Sequence, residues 1–151
     1  MRARTMLTGG FFAACLALSA TAAPASAADG WQRTTDVADS TYNNNRAKTC
    51  ALANPWGIDR TKGCFQRYGE WIWLQDLSSN NEPVGLQWWY THGSSARSGV
   101  AYWDGSANAG WTNLNKSFTD GGEFRFRVCE VNLSTGRVVE ATCSDEKKVT
   151  T

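Results

Sequence analysis

The chain has 151 residues, with 15 Lys and Arg against 14 Asp and Glu, one His, eight Trp and a formal net charge of +1. Arg2 and Arg4 precede an apolar run from Met6 to Ala23 that ends at Ala25-Ser26-Ala27, the pattern of a secretory signal peptide, so residues 1–27 are expected to be removed. The remaining ~124 residues carry thirteen basic and fourteen acidic side chains, which excludes a basic field for nucleic acid or anionic lipid, and no further apolar run is long enough to span a bilayer.

The mature part suits one domain, and its eight Trp with charged residues at 19% exclude a disordered chain. Residues 28–49 form a polar N-terminal arm containing Asn43-Asn44-Asn45, with Trp31, Val37 and Tyr42 as its only large apolar groups. Such a segment reads as a partly ordered lead-in, or as an extended arm that docks on a partner, with Trp31 and Tyr42 as its anchors. On the docking reading, deleting residues 28–45 removes partner capture and leaves the thermal transition of the domain nearly intact.

Residues 50–151 are expected to form the folded domain. Short runs rich in Trp, Tyr, Phe and Val predict strands near Cys64–Tyr68, Trp71–Leu77, Val84–Thr91, Gly99–Asp104, Trp111–Phe118, Glu123–Leu133 and Arg137–Ser144. Turn signals every ~8–12 residues make the fold class all-β, a small antiparallel β-sandwich or barrel with two disulfides. Leu86, Trp88 and Tyr90 alternate on one face, whereas Ile72 and Leu74 oppose Trp71 and Trp73, so central strands are covered on both sides or one face awaits a partner. Arg125 and Arg127 alternate with Phe124 and Phe126, placing charge on one sheet face and rings on the other.

Cys15 leaves with the signal, so four cysteines remain, for which three connectivities are open. Centring the turn Ser134-Thr135-Gly136 near Gly136 sets Cys129 opposite Cys143, which predicts a cross-strand bridge. By elimination Cys50 pairs with Cys64 and closes Asn54-Pro55-Trp56-Gly57 into a loop.

No catalytic motif is present. His92 lies in a Gly-Ser-rich loop with no nucleophile elbow, and a solvated histidine is the favoured reading. Bridged cysteines supply no thiolate, and a lone His cannot build a zinc site. Asp29, Asp36, Asp39 or Asp104-Gly105-Ser106 leave calcium open without a twelve-residue ligand loop. No cofactor is implied. Paired carboxylates can hydrolyse a glycoside across a cleft, and Glu70, Asp76, Glu82 and Asp104 are the candidates near aromatic strands. The aromatics carry more weight, because Trp and Tyr stack on sugars and anchor protein interfaces. Trp71, Trp73 and Trp88 read as core, and Trp89, Trp103 and Trp111, beside loops, as candidate binding residues.

The run Gly63-Cys64-Phe65-Gln66-Arg67-Tyr68-Gly69-Glu70-Trp71-Ile72-Trp73, followed by Phe126-Arg127-Val128-Cys129, Ser134-Thr135-Gly136-Arg137 and Cys143-Ser144, resembles a group of small secreted Streptomyces-type proteins. Relatives in that group often carry another cysteine pair near Val100 and Trp111, absent here. Size, signal, β-rich disulfide module and polar arm are also similar to the small adaptor subunit of umbrella-shaped secreted toxin particles. That resemblance implies an adaptor joining a lectin-bearing subunit to a repeat-built toxin subunit, with the arm docked into the former. The expected function is therefore a secreted, extracellular, non-catalytic protein-binding module in an antibacterial toxin complex. A carbohydrate-binding module using Trp89, Trp103 and Trp111, or a hydrolase inhibitor presenting the Cys50–Cys64 loop, are the alternatives.

Overall fold

A computed structural model describes residues 26–151. The predicted signal segment lies outside the described residues, apart from Ser26 and Ala27 at the start of the first strand.

Two sheets pack face to face. The first runs in the order β1 (Ser26–Arg33), β7 (Ser95–Trp103), β6 (Val84–His92) and β9 (Glu123–Asn132), with β10 (Arg137–Val138) and β11 (Lys147–Thr150) sharing the far edge of β9. The second runs β2 (Thr35–Asp36), β8 (Trp111–Asn115), β5 (Trp71–Asp76), β4 (Thr61–Gln66) and β3 (Lys48–Ala53). All pairings are antiparallel except β1 with β7, which is parallel.

The two-residue period does the sorting. Leu86, Trp88 and Tyr90 of β6 and Phe124, Phe126 and Val128 of β9 enter the core, while Arg125 and Arg127 face out. From the second sheet Phe65, Ile72 and Leu74 meet them, with Phe65 stacked 4.0 Å from Phe124. Gly63 permits this approach, since a Cβ there would collide with Val128 and Leu86.

Both faces of β5 are covered. Trp73 points away from the main core into a second apolar cluster with Cys64 and Trp111, roofed by Val37 and Tyr42. Tyr42 ends the one-turn helix α1 (Asp39–Tyr42). The polar segment expected as an arm is thus woven into the sandwich: β1 belongs to the first sheet, β2 to the second, and α1 caps the outer face of the second. Few apolar groups suffice: Val37 and Tyr42 meet a patch already built by strands far along the chain, and Trp31 lies beside Tyr102 on the outer face of the first sheet. Thr34 makes the crossing between the sheets: its N–H donates to the Tyr102 carbonyl at 2.8 Å, and its Oγ1 lies 2.8 Å from Thr112 Oγ1.

Both predicted disulfides are present, Cys50–Cys64 and Cys129–Cys143. Such bridges belong to oxidising compartments, and among the described residues no helix is long and apolar enough to cross a membrane. Cys50 and Cys64 sit directly opposite one another on β3 and β4. The second bridge forms by a different route from the continuous hairpin predicted. The strand stops at Val138, a 3-10 turn spans Glu140–Thr142, and pairing with β9 resumes at Ser144, whose N–H donates to the Val128 carbonyl at 2.8 Å. Buried Thr142 stabilises this interruption, its Oγ1 accepting from Glu130 N at 2.9 Å and donating to the Val139 carbonyl at 2.8 Å. The three-residue turn shifts the register just enough to bring Cys143 to Cys129.

Candidate functional site

Strands β3, β5, β7 and β9 end where β4, β6, β8 and β10 begin, so four connections gather at one end of the sandwich: residues 54–60, 77–83, 104–110 and 133–136. Of the seven large apolar side chains exposed among the described residues, five lie at this end; Tyr68, 63% exposed, is on the β4–β5 connection at the other end and Leu52 lies within β3. Trp56 is 74% and Ile58 52% exposed on the first connection, Leu77 opens the second, and Leu133 and Val139 flank the fourth. Burying such groups in a partner is favourable, whereas leaving them exposed to water is not.

Trp56 is held there by backbone geometry. Pro55 fixes the entry to a 3-10 turn, and Trp56 follows at φ 58° and ψ 25°, the left-handed region that a bulky residue rarely adopts. Hydrogen bonds over-determine the turn: Gly57 N to Asn54 O at 3.4 Å, Ile58 N to Pro55 O at 3.2 Å, Arg60 N to Ala53 O at 2.9 Å, and Asn54 Nδ2 to Asp59 Oδ1 at 2.6 Å. The Cys50–Cys64 bridge ties the strands below it. An ordered loop holding a large ring in solvent is preorganised for contact, and strained residues of this kind concentrate at functional sites.

At the same end lies a polar cleft of about 380 Å³ between the 77–83 and 104–110 connections, lined by Asp76, Ser78, Glu82, Asp104, Ser106 and Asn108. Three of the four carboxylates singled out in the sequence meet here. Glu70 does not; it sits at the opposite end and accepts from Phe118 N at 2.6 Å. Asp76 is 6% exposed, and its carboxyl is pushed up chiefly by that burial, with nearby Glu130 adding to the shift and the Ser78 N–H and Arg60 opposing it. A raised carboxyl beside a cleft has the property a general acid needs. Here, however, an Asp76 oxygen holds Ser78 N at 2.9 Å and so starts the 77–83 turn, a structural duty. Asp104 is held by Arg33 Nε at 2.6 Å. His92 lies at the far end, exposed, on the β6–β7 hairpin. Among the described residues no group of three or more His, Cys, Asp or Glu side chains is placed to hold a metal ion.

The five aromatics predicted to bind a partner divide into two sets. Trp103 and Trp111 are each only 7% exposed, so neither offers ring surface. Trp103 donates from Nε1 to Ser106 O at 3.1 Å and is covered by Arg33, whose guanidinium is 4.6 Å from the ring. Tyr42 stacks on Trp111, and Lys48 Nζ covers Tyr42 at 4.7 Å. Trp31 and Trp89 remain half-exposed on the outer face of the first sheet. The strand pattern misplaced Trp103 and Trp111 because proximity to a loop says nothing of what a neighbouring loop covers. Trp56 and Ile58 went unrecognised, although apolar residues amid Asn, Pro, Gly and Asp, inside a disulfide-closed turn, have no core to enter.

Comparison with known proteins finds no matching family model, and no similar curated protein or solved structure.

Proposed function

We propose that this chain is a secreted protein-binding module that engages its partner through the loop end of the sandwich, with Trp56 as the anchor. The observation that carries this reading is the 74% exposure of Trp56 in a left-handed, disulfide-braced turn. Interfaces concentrate their energy in a few large aromatic residues surrounded by less important contacts. Ile58 and Leu77 add exposed apolar surface at the same end, and the cleft there, lined by Asp76, Glu82 and Asp104, favours a partner with a basic group at the rim. The module works by contact rather than turnover. An adaptor within an extracellular antibacterial complex is the form that the sequence resemblance implies, and the docking element is then the loop end rather than residues 28–49.

The test is capture of a partner from culture supernatant of the producing organism on immobilised chain, identified by mass spectrometry. A stoichiometric protein held by the native chain and lost by Trp56→Ala, with an unchanged melting curve, supports the reading. Capture that survives Trp56→Ala and Ile58→Ala together rejects it.

A further inference from the structure

A second surface lies apart from the loop end, on the outer face of the first sheet. Across three adjacent strands Trp31 of β1 opposes Val100 of β7, which opposes Gln87 of β6, and one row along Ser98 opposes Trp89. With strands ~4.8 Å apart and ~3.3 Å of rise per residue, the Trp31 and Trp89 Cα atoms are about 12 Å apart. A groove runs between them in two stretches that share Trp31, Gln87 and Val100, one of about 200 Å³ reaching Trp89 and one of about 410 Å³ reaching Val138 and Glu140.

Two polar groups of this groove, Gln87 and Glu140, are held in advance by Arg127. Arg127 donates to Gln87 Oε1 from Nε at 3.0 Å and from Nη2 at 2.8 Å, and Nη2 also reaches Glu140 Oε1 at 2.7 Å. Because an amide is planar, holding its oxygen also sets the direction of its N–H2 group. Among the described residues that Gln87 nitrogen has no hydrogen-bond partner, and neither has the Ser98 hydroxyl. The guanidinium groups of Arg125 and Arg127 lie 5.8 and 5.7 Å from the Trp89 ring and pack it from the β9 side.

We infer that this groove binds a short, neutral, extended oligosaccharide. Trp31 and Trp89 stack on two non-adjacent pyranose rings, and Gln87 Nε2, Ser98 and Glu140 bond to the hydroxyls between them. The chemistry selects this class. Sugars present apolar ring faces and dense hydroxyls, which require aromatic surface together with donors and acceptors already in place. An extended peptide adding a strand would pair at the free outer edge of β1, whereas this groove lies on the sheet face over β7 and β6, which are paired on both sides. An anionic ligand would need free cations along the groove, yet Arg127 is paired with Glu140 and Arg125 with Glu123 and Glu146; among the described residues only Arg137, at the far stretch beside Glu140, lines the groove without an ion pair. A Cα separation of about 12 Å between Trp31 and Trp89 suits an oligomer and leaves a monosaccharide one stacking partner.

Titrating the intact disulfide-bonded chain with cellohexaose and with chitohexaose, by calorimetry and Trp fluorescence, tests the inference. At least one hexasaccharide should bind, with the matching monosaccharide at least a hundredfold weaker. Trp31→Ala and Trp89→Ala should each weaken binding at least tenfold, Gln87→Ala several-fold, and Trp89→Phe, which keeps a ring, by less than Trp89→Ala. Trp56→Ala should bind as the native chain does, which separates this site from the loop end. Failure of both hexasaccharides to bind, or binding that survives Trp31→Ala and Trp89→Ala, overturns it, as does a protein that these variants lose in place of sugar.

Discussion

Tyr42 and Trp111, 69 positions apart in sequence, stack face to face with ring centroids 3.8 Å apart and planes within 7°. The same tyrosine meets Trp73 edge-on at 5.3 Å, and its Oη lies 3.5 Å from Cys64 Sγ. Removing it opens the second apolar cluster. Tyr42→Ala should cost about 2–4 kcal/mol in urea unfolding, and deletion of residues 28–45 should lower the melting temperature sharply rather than leave it unchanged. An unaltered melting curve in either variant would show that the cluster contributes nothing.

Asp29 anchors β1. Its carboxylate takes two hydrogen bonds from Arg97, at 3.0 and 2.7 Å, and a third from the largely buried Lys116. The Arg97 bonds, aided by Lys116, hold its pKa below the usual carboxylate value against the opposing effect of burial. A folded pKa below the unfolded one gives stability that is fully present above the unfolded value of ~3.9 and is lost as pH falls through the folded value. Asp29→Asn should therefore cost about 1–3 kcal/mol at pH 7, and the difference from the native chain should vanish near pH 2.

Asp76 carries the opposite sign. Its folded pKa is raised, chiefly by burial, so ionisation opposes folding: the cost is absent below the unfolded value and grows as pH rises through the folded one. Asp76→Asn keeps an acceptor for Ser78 N and removes the charge. It should match the native chain at pH 3, exceed it at pH 7, and flatten the dependence of urea midpoint on pH between those limits.

At Trp56 the backbone and the ring can be tested separately. Trp56→Gly relieves the left-handed conformation and should be about 1 kcal/mol more stable than Trp56→Ala, while both lose partner binding equally. If Trp56→Gly proves the less stable of the two, the strain argument fails.

At the sheet crossing, Thr34→Val removes the hydroxyl that meets Thr112 Oγ1 and leaves the shape. A loss of about 1–3 kcal/mol in chemical unfolding is expected for a buried partner left unsatisfied; no loss would mean that Thr112, bonded to the Leu74 carbonyl at 2.9 Å, is satisfied alone.

The strands from Val84 to Asn132 are legible in the sequence because their faces alternate cleanly: Leu86, Trp88 and Tyr90 in one strand, Phe124 and Phe126 in another. Residues 28–49 are not, because their apolar groups are sparse and their pairing partners lie about seventy positions away, at Ala96–Tyr102 and Thr112–Asn113. Cysteine parity and turn position identified both bridges, yet not the Glu140–Thr142 turn, which depends on the buried hydroxyl of Thr142 rather than on any periodicity. Of the candidate site, the carboxylates near the aromatic strands were visible, but their meeting at one end depends on which loops the topology brings together. Trp56 was visible only as a member of a loop, since its prominence comes from a dihedral angle.

The parallel placement of β1 beside β7 also fixes an order of events. Ser26 pairs with Ala96 and Arg33 with Tyr102, so the earliest strand has no partner until nearly seventy more residues have emerged. Hairpins β3–β4–β5 and β6–β7 can close locally, but the first sheet gains its outermost strand only by a long-range closure, the slow kind of folding step. Synthesis thus runs ahead of assembly: the first of the described strands is the piece that docks late.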